Sequence, residues 1–301
     1  MRDSFERLLK QTCVVECRLP CGQRNLEKSC LTSDEDLCLM SKPSEEISKI
    51  IYNGIIEFAV NEYKINYDEI DTEQLKVMFH SIRYDYAATN ATKLKYGFYG
   101  EVLLDLILRV IEQTNVLIAR GYFYSPIENS EVKGFDAFHI MERNNETELW
   151  FGEAKFFIRY KSAISSVLEK ISISFSESYI NKNLFAIIHR KENMSTHSGN
   201  FDKLIDDWEK NPVVNLSSML SSYNLKIVYP VLIVFQKDNN HTYDLSIKNC
   251  IEHISKEYKR LNIMIPESLD CRIFFIFLPL SDVQEVKQQV IKWIDTKEPL
   301  I

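Results

Sequence analysis

At 301 residues the chain is long enough for one large domain with a substantial core. Its 45% hydrophobic and 26% charged content is ordinary for a globular protein, and no run of 18 apolar residues is present that would span a bilayer. A net charge of −7 argues against a surface built as a whole to neutralise phosphates, so any work on nucleic acid needs a local basic patch or a partner that brings the substrate.

The opening stretch, MRDSFERLLKQTCVVE, is too charged for an export signal, which leads us to expect a cytoplasmic location and reduced thiols. Five of the seven cysteines fall early, at Cys13, Cys17, Cys21, Cys30 and Cys38. Their spacing lacks the CxxC pairs and nearby histidines of a structural zinc site, so they read as small buried apolar residues. Residues 1–42 are expected to form short strands and loops. A helix is predicted from Ser44 as N-cap through residue 60, with Ile47, Ile50, Ile51, Ile55 and Phe58 at helical spacing, and a second over about 71–85. We take residues 1–95 as an N-terminal cysteine-rich and helical region suited to docking a partner, and 96–301 as the main domain.

From residue 96 the pattern becomes denser. Tyr99–Gln113 forms an amphipathic helix, and strands are expected at 116–124, 134–141 and 148–157, joined by turns at Pro126–Lys133 and Asn144–Asn145. A helix over Ser162–Ile180 and a short buried strand at 184–189 (LFAIIH) follow. After them come a helix near 201–210, a strand at 227–235, a helix at 244–261, a strand at 272–278 and a closing helix at 281–294. Short turns make the first three strands an antiparallel meander, and helical crossovers add parallel partners. The fold class is α/β, with a mixed central β-sheet flanked by helices.

Polar residues interrupt this apolar pattern at Glu101 in the long helix, at Asp136 in GFDAFHI, and at Glu153 and Lys155 in LWFGEAKFF. Residues two apart in a strand share a face, so Glu153 and Lys155 point together and Asp136 can stand beside Glu153 across the hairpin. Carboxylates converging in a partly buried site repel one another unless a cation joins them. Mg²⁺ (or Mn²⁺) suits such oxygen donors, and a lysine aimed at the same volume completes a set able to hydrolyse a phosphodiester. Asp105 is a rival to Glu101 one turn on, and His139 reads as structural because it shares no face with Asp136. His189 and Arg190 read as solvated, and the run Lys155–Lys161 serves equally well as a guide for DNA or as a plain helix entry.

Asp136, a spacer, and then Glu153-Ala154-Lys155 on the next strand resemble the PD-(D/E)xK nuclease superfamily, after an acid-bearing helix as in its αβββαβ core. The stretches GFYGEVLLDLIL, GFDAFHI and LWFGEAKFF are more closely similar to HamA, the nuclease subunit family of the Hachiman anti-phage system. The resemblance implies a metal-dependent DNA nuclease that acts with a superfamily 2 helicase partner (HamB-like). Glu101, Asp136, Glu153 and Lys155 would be catalytic, and the metal would be held by Asp136, Glu153, Glu101 and the carbonyl of Ala154. Phe135 stands where the motif's proline would be. The 162–180 helix has no Gln-x-x-x-Tyr of the RecB-like branch, which favours an endonuclease or nickase over an exonuclease. A scaffold that regulates the helicase without cutting, or an RNA-cleaving toxin on the same fold, are the alternatives.

Overall fold

In chain order, the computed structural model contains α1 (Asp3–Thr12), β1 (Cys13–Leu19), β2 (Asp36–Ser41), α2 (Ser44–Ala59), α3 (Ile70–His80), α4 (Asn90–Lys93) and α5 (Phe98–Val110). Next come β3 (Asn115–Val116), β4 (Tyr124–Ser125), β5 (Ser130–Glu131), β6 (Ala137–Arg143), β7 (Glu146–Phe157), α6 (Tyr160–Ser174), α7 (Glu177–Ile188), α8 (Gly199–Lys210) and α9 (Leu216–Met219). The chain closes with β8 (Leu225–Gln236), α10 (Tyr243–Leu261), β9 (Cys271–Leu280) and α11 (Val283–Thr296). The structure describes all residues except 42, 83, 126–129, 132–133, 144–145, 213–214, 264, 266–268 and 301. The expected turn at Asn144–Asn145 and most of that at Pro126–Lys133 lie outside the described residues.

Seven strands form one mixed sheet in the order β1-β2-β9-β8-β7-β6-β3. β2, β9, β8 and β7 run parallel, while β6 and β3 add antiparallel partners on one side and β1 on the other. The central position of β8 and β9 follows from their composition. LKIVYPVLIVFQ and CRIFFIFLPL are nearly continuous apolar runs, as strands covered on both faces must be. One face packs on α1, α2, α5 and α11, with Val102, Leu106, Trp150, Leu232 and Val290 in its core. The other packs on α6, α7, α8 and α10, with Phe151, Val167, Leu184, Tyr229 and Ile254. The first 95 residues are built into this arrangement, because β2 pairs with β9 and Phe5 and Leu9 of α1 lie in the first core.

Several expectations are corrected. The segment 184–189 is part of helix α7, not a strand, because Ile180, Leu184, Ile187 and Ile188 form a buried helical stripe. The next strand is β8, which therefore follows α6 only after three further helices, α7, α8 and α9. The predicted helix over 162–180 is two helices, α6 and α7, with Ser176 capping the second by accepting the Tyr179 N–H. The opening residues hold a full helix, α1, and the strand expected at 116–124 shrinks to β3, followed by a tight turn at Arg120–Phe123. At α2 the cap position is Pro43, with Ser44 already helical. Of the early cysteines, Cys13 and Cys38 are buried, whereas Cys30 is exposed.

A buried polar chain ties α5 to the meander. Asp105 accepts from Arg109 Nε at 2.8 Å and pairs with His139 Nε2 at 2.8 Å, and His139 Nδ1 meets the Thr114 hydroxyl at 2.8 Å. Burial holds the His139 imidazole below its ordinary value despite the adjacent carboxylate. The neutral ring therefore carries its proton on Nε2, toward Asp105, and Nδ1 accepts from Thr114. Burial also opposes the charge on Asp105, but Arg109 and His139 outweigh it and leave its carboxyl below the usual range.

Both groups lose protons more readily when folded, so their stabilisation is present at neutral pH and is lost on acidification. The His139 part fades as pH falls below about 6.5 and the Asp105 part below about 4. His139→Gln is expected to cost about 2 kcal/mol at pH 7 and to flatten the loss of stability between pH 7 and 5. Urea unfolding across that range checks both outcomes.

Candidate functional site

β6 begins at Ala137, opposite Gly152, but β7 continues to Phe157. Beyond Gly152 the meander side of β7 therefore has no strand partner, in the middle of an otherwise paired sheet. Asp136 stands at this break. Its own N–H donates to Gly152 O at 2.8 Å, and its Oδ2 accepts the Ala154 N–H at 2.8 Å, so a side chain takes over where the ladder stops. Asn183 of α7 holds the approach by accepting the Phe135 N–H at 3.2 Å; a Cβ at Gly134 would come within 2.5 Å of that same oxygen.

Glu153 and Lys155 share a face, as their spacing requires, and form an ion pair, each with its side chain only 13% exposed. The register Ala137↔Gly152 places Asp136 next to Glu153 across the hairpin. Ala154 sits between them with its side chain on the opposite face, toward α5. There Gly100 lets the helix approach so closely that a Cβ would lie 3.3 Å from that of Ala154. In a strand, a residue's N–H and C=O point to the same edge, so the Ala154 carbonyl faces the open edge beside Asp136. Glu101 follows Gly100 on α5 and lines the same cleft, with Oε1 folded back over Gly97. Asp105, by contrast, is buried in the His139 network.

The electrostatics are those of crowded acids. Burial, together with the charges of Glu153 and Glu101, raises the Asp136 carboxyl well above its ordinary value, against the opposing pull of Lys155 and the Ala154 N–H. For Lys155, burial disfavours the charge, but Glu153, Asp136 and Glu101 outweigh it and keep the ammonium protonated. Tyr179, at the start of α7, is pushed up to about 12 by burial and by the charges of Glu153 and Asp136.

The cleft over this site measures about 740 Å³ and runs between α6 on one side and α4, α5 and α11 on the other. Lys95, Lys155, Lys170 and Lys287 line it, against Glu101 and Asp136. Thus an acidic protein carries a locally basic cleft. Phe157 and Ile158 at its rim are 39% and 44% exposed. Lys95, Lys170, Tyr179 and Lys287 escaped the sequence reading because nothing near them in the chain marks them. A separate cavity of about 500 Å³, lined by Asn61, Arg109 and Thr114, holds none of the predicted site residues.

Oxygen donors suit a hard cation, and excess negative charge at Asp136 is what a cation would relieve. Asp136 and Glu153 each have a second carboxylate oxygen that takes no part in the contacts to Ala154 and Lys155. Among the described residues, no three His, Cys, Asp or Glu side chains converge as a ready-made metal cage. The donor set is therefore an adjacent acid pair and a backbone carbonyl, with Glu101 on the cleft wall.

Fold and site together define a class: mixed α/β proteins that present an acid pair and a lysine at a broken edge inside the central sheet. Within it, the chain belongs to the HamA family, whose model matches residues 7–294. No curated protein and no solved structure matches the chain. No helix among the described residues is long and apolar enough to cross a membrane.

Asp136→Asn keeps an acceptor for the Ala154 N–H and removes the crowded charge. Without added metal it is expected to be more stable than the parent by about 1 kcal/mol or more at pH 8. The advantage vanishes below pH 4, because a raised carboxyl costs stability only once pH climbs above its unfolded value toward its folded one. Thermal unfolding at pH 4 and pH 8 measures it.

Proposed function

We propose that this chain is the Mg²⁺-dependent DNA nuclease subunit, an endonuclease or nickase, of a prokaryotic anti-phage defence complex of the Hachiman type. It works with a superfamily 2 helicase subunit. The observation that carries this reading is the placement of Asp136 and Lys155, the latter paired with Glu153, at the break beside β7 in a lysine-lined cleft. Membership of the HamA family supports it. The order α5-β3-β6-β7-α6, completed by β8 beside β7, is compatible with a PD-(D/E)xK-type αβββαβ core in which the last strand is β8. The exposed Tyr63, Tyr67, Leu75 and Phe79 favour residues 1–95 as the face that docks the helicase.

Asp136, Glu153 and the Ala154 carbonyl would hold the metal, with Glu101 beside them. When bound, the ion neutralises charge on the scissile phosphate and makes water a better nucleophile. Lys155 stays protonated, so it donates: it orients the attacking water or stabilises charge building on the phosphate oxygens, and does not act as the base. Glu153 keeps that ammonium in place. The water oxygen bonds to phosphorus, the bond to one flanking sugar oxygen breaks, and that oxygen leaves with a proton.

The test is cleavage of plasmid and linear DNA by the chain with its helicase partner, ATP and Mg²⁺. Glu153→Ala and Lys155→Ala are each expected to lose a hundredfold or more in rate, about the cost of removing one charge-stabilising group. Cleavage equal to the parent's would remove the assignment of these residues, and a parent that does not cleave would leave a scaffold role. Mg²⁺ should also raise the melting temperature of the parent but not of Asp136→Asn, since a ligand that binds only the folded form stabilises it. An RNA substrate in the same assay separates the DNA reading from an RNA-cleaving toxin.

A further inference from the structure

The broken edge of β7 has a second occupant. Phe156 follows Ala154 by two residues, so its carbonyl faces the same open edge about 7 Å further on. Lys287 of α11 donates to that carbonyl at 3.1 Å and to Leu94 O at 3.1 Å, with its ammonium 5.1 Å from the ring centroids of both Tyr99 and Phe156. An ammonium has three N–H groups, and these contacts use two, leaving one for a ligand in the cleft that Lys287 lines. The helix that carries it is anchored independently: Lys93 binds both oxygens of Asp295 at 2.9 Å, and the Tyr84 hydroxyl donates to Asp295 at 2.9 Å. Lys287 is thus a fixed cation about one nucleotide step along the strand edge from the acid pair. Lys95 and Lys170 stand on the outer walls of the same cleft.

We propose that Lys287 binds the backbone phosphate next to the one being cut, and so sets the register in which a nucleic-acid strand lies across Asp136 and Lys155. The proposal rests on the nuclease reading of that site and adds a positioning residue from the C-terminal helix. A lysine serving only as a latch between α11, α4 and β7 would need its two carbonyls and nothing more.

The probe is a fluorescein-labelled ten-nucleotide DNA, single-stranded and as a duplex, bound to the full chain in EDTA so that no cleavage occurs. Lys287→Gln keeps an N–H donor but removes the charge. It is expected to weaken binding about tenfold and to lower the slope of log affinity against log salt by about 0.7–0.9, one phosphate contact. Lys287→Arg should restore both. With Mg²⁺, Lys287→Gln should raise KM more than it lowers kcat and shift the cut position along a defined oligonucleotide. Acetylation footprinting of the unaltered chain gives an answer that does not depend on any variant folding. Burial lowers the Lys287 ammonium to about 8, so it acylates at neutral pH, and the oligonucleotide should protect it at least threefold. An unchanged salt slope in Lys287→Gln, or an unprotected Lys287 under saturating oligonucleotide, overturns the proposal even if the parent cuts DNA. A parent that binds the probe with Lys287 protected but never cleaves upholds the phosphate site and overturns the nuclease reading instead.

Discussion

Everything at the candidate site depends on one broken ladder. A strand inside a sheet must satisfy its N–H and C=O groups on both sides, and β7 loses its β6 partner after Gly152 while five residues of strand, 153–157, remain. The vacated edge is filled by side chains that bring charge with them: the Asp136 carboxylate on the Ala154 N–H and the Lys287 ammonium on the Phe156 carbonyl. The same break that leaves backbone groups unpaired opens the cleft. Glu153 and Lys155 are therefore held by strand geometry, and Asp136, one residue before β6, is held to β7 by two hydrogen bonds.

That geometry lets an acidic chain hold a basic cleft. Four lysines from β7, α6, α11 and the segment after α4 converge on a volume whose deepest charges are negative. The acids raise Asp136 and keep Lys155 protonated, so the site holds both a poorly tolerated carboxylate and a firmly charged ammonium within one hairpin's reach. Such shifts, both upward, mark places where charge is kept for a reason other than stability. The Asp105–His139–Thr114 chain differs in kind. It is fully buried and satisfied, and it fixes the distance between α5 and β6, on which the position of Glu101 relative to Asp136 depends.

Much of this was legible in the linear chain because it follows local rules. The period-two alternation of LWFGEAKFF put Glu153 and Lys155 on one face, and they form an ion pair. Short turns made the meander antiparallel, and the apolar runs of β8 and β9 made them central and parallel. The local rules failed where short apolar segments fit both periods. LFAIIH reads as a strand by composition but lies in α7, where Ile180, Leu184, Ile187 and Ile188 form a buried helical stripe in the same core as α6 and α8.

Sequence alone determined the α/β class, the hairpin that pairs Asp136 with Glu153, and the acid-bearing helix before it, because side-chain periodicity and turn length are local properties of the chain. Only the tertiary structure decided that Asp105 belongs to His139 while Glu101 lines the cleft, and that α11 returns across more than 120 residues to place Lys287 on the edge of β7. It also decided that the early strands join the same sheet through β9. Those outcomes depend on which helix face meets which strand edge. That is settled by packing and by the need to satisfy every buried backbone group, and neither leaves a mark on neighbouring residues in the chain.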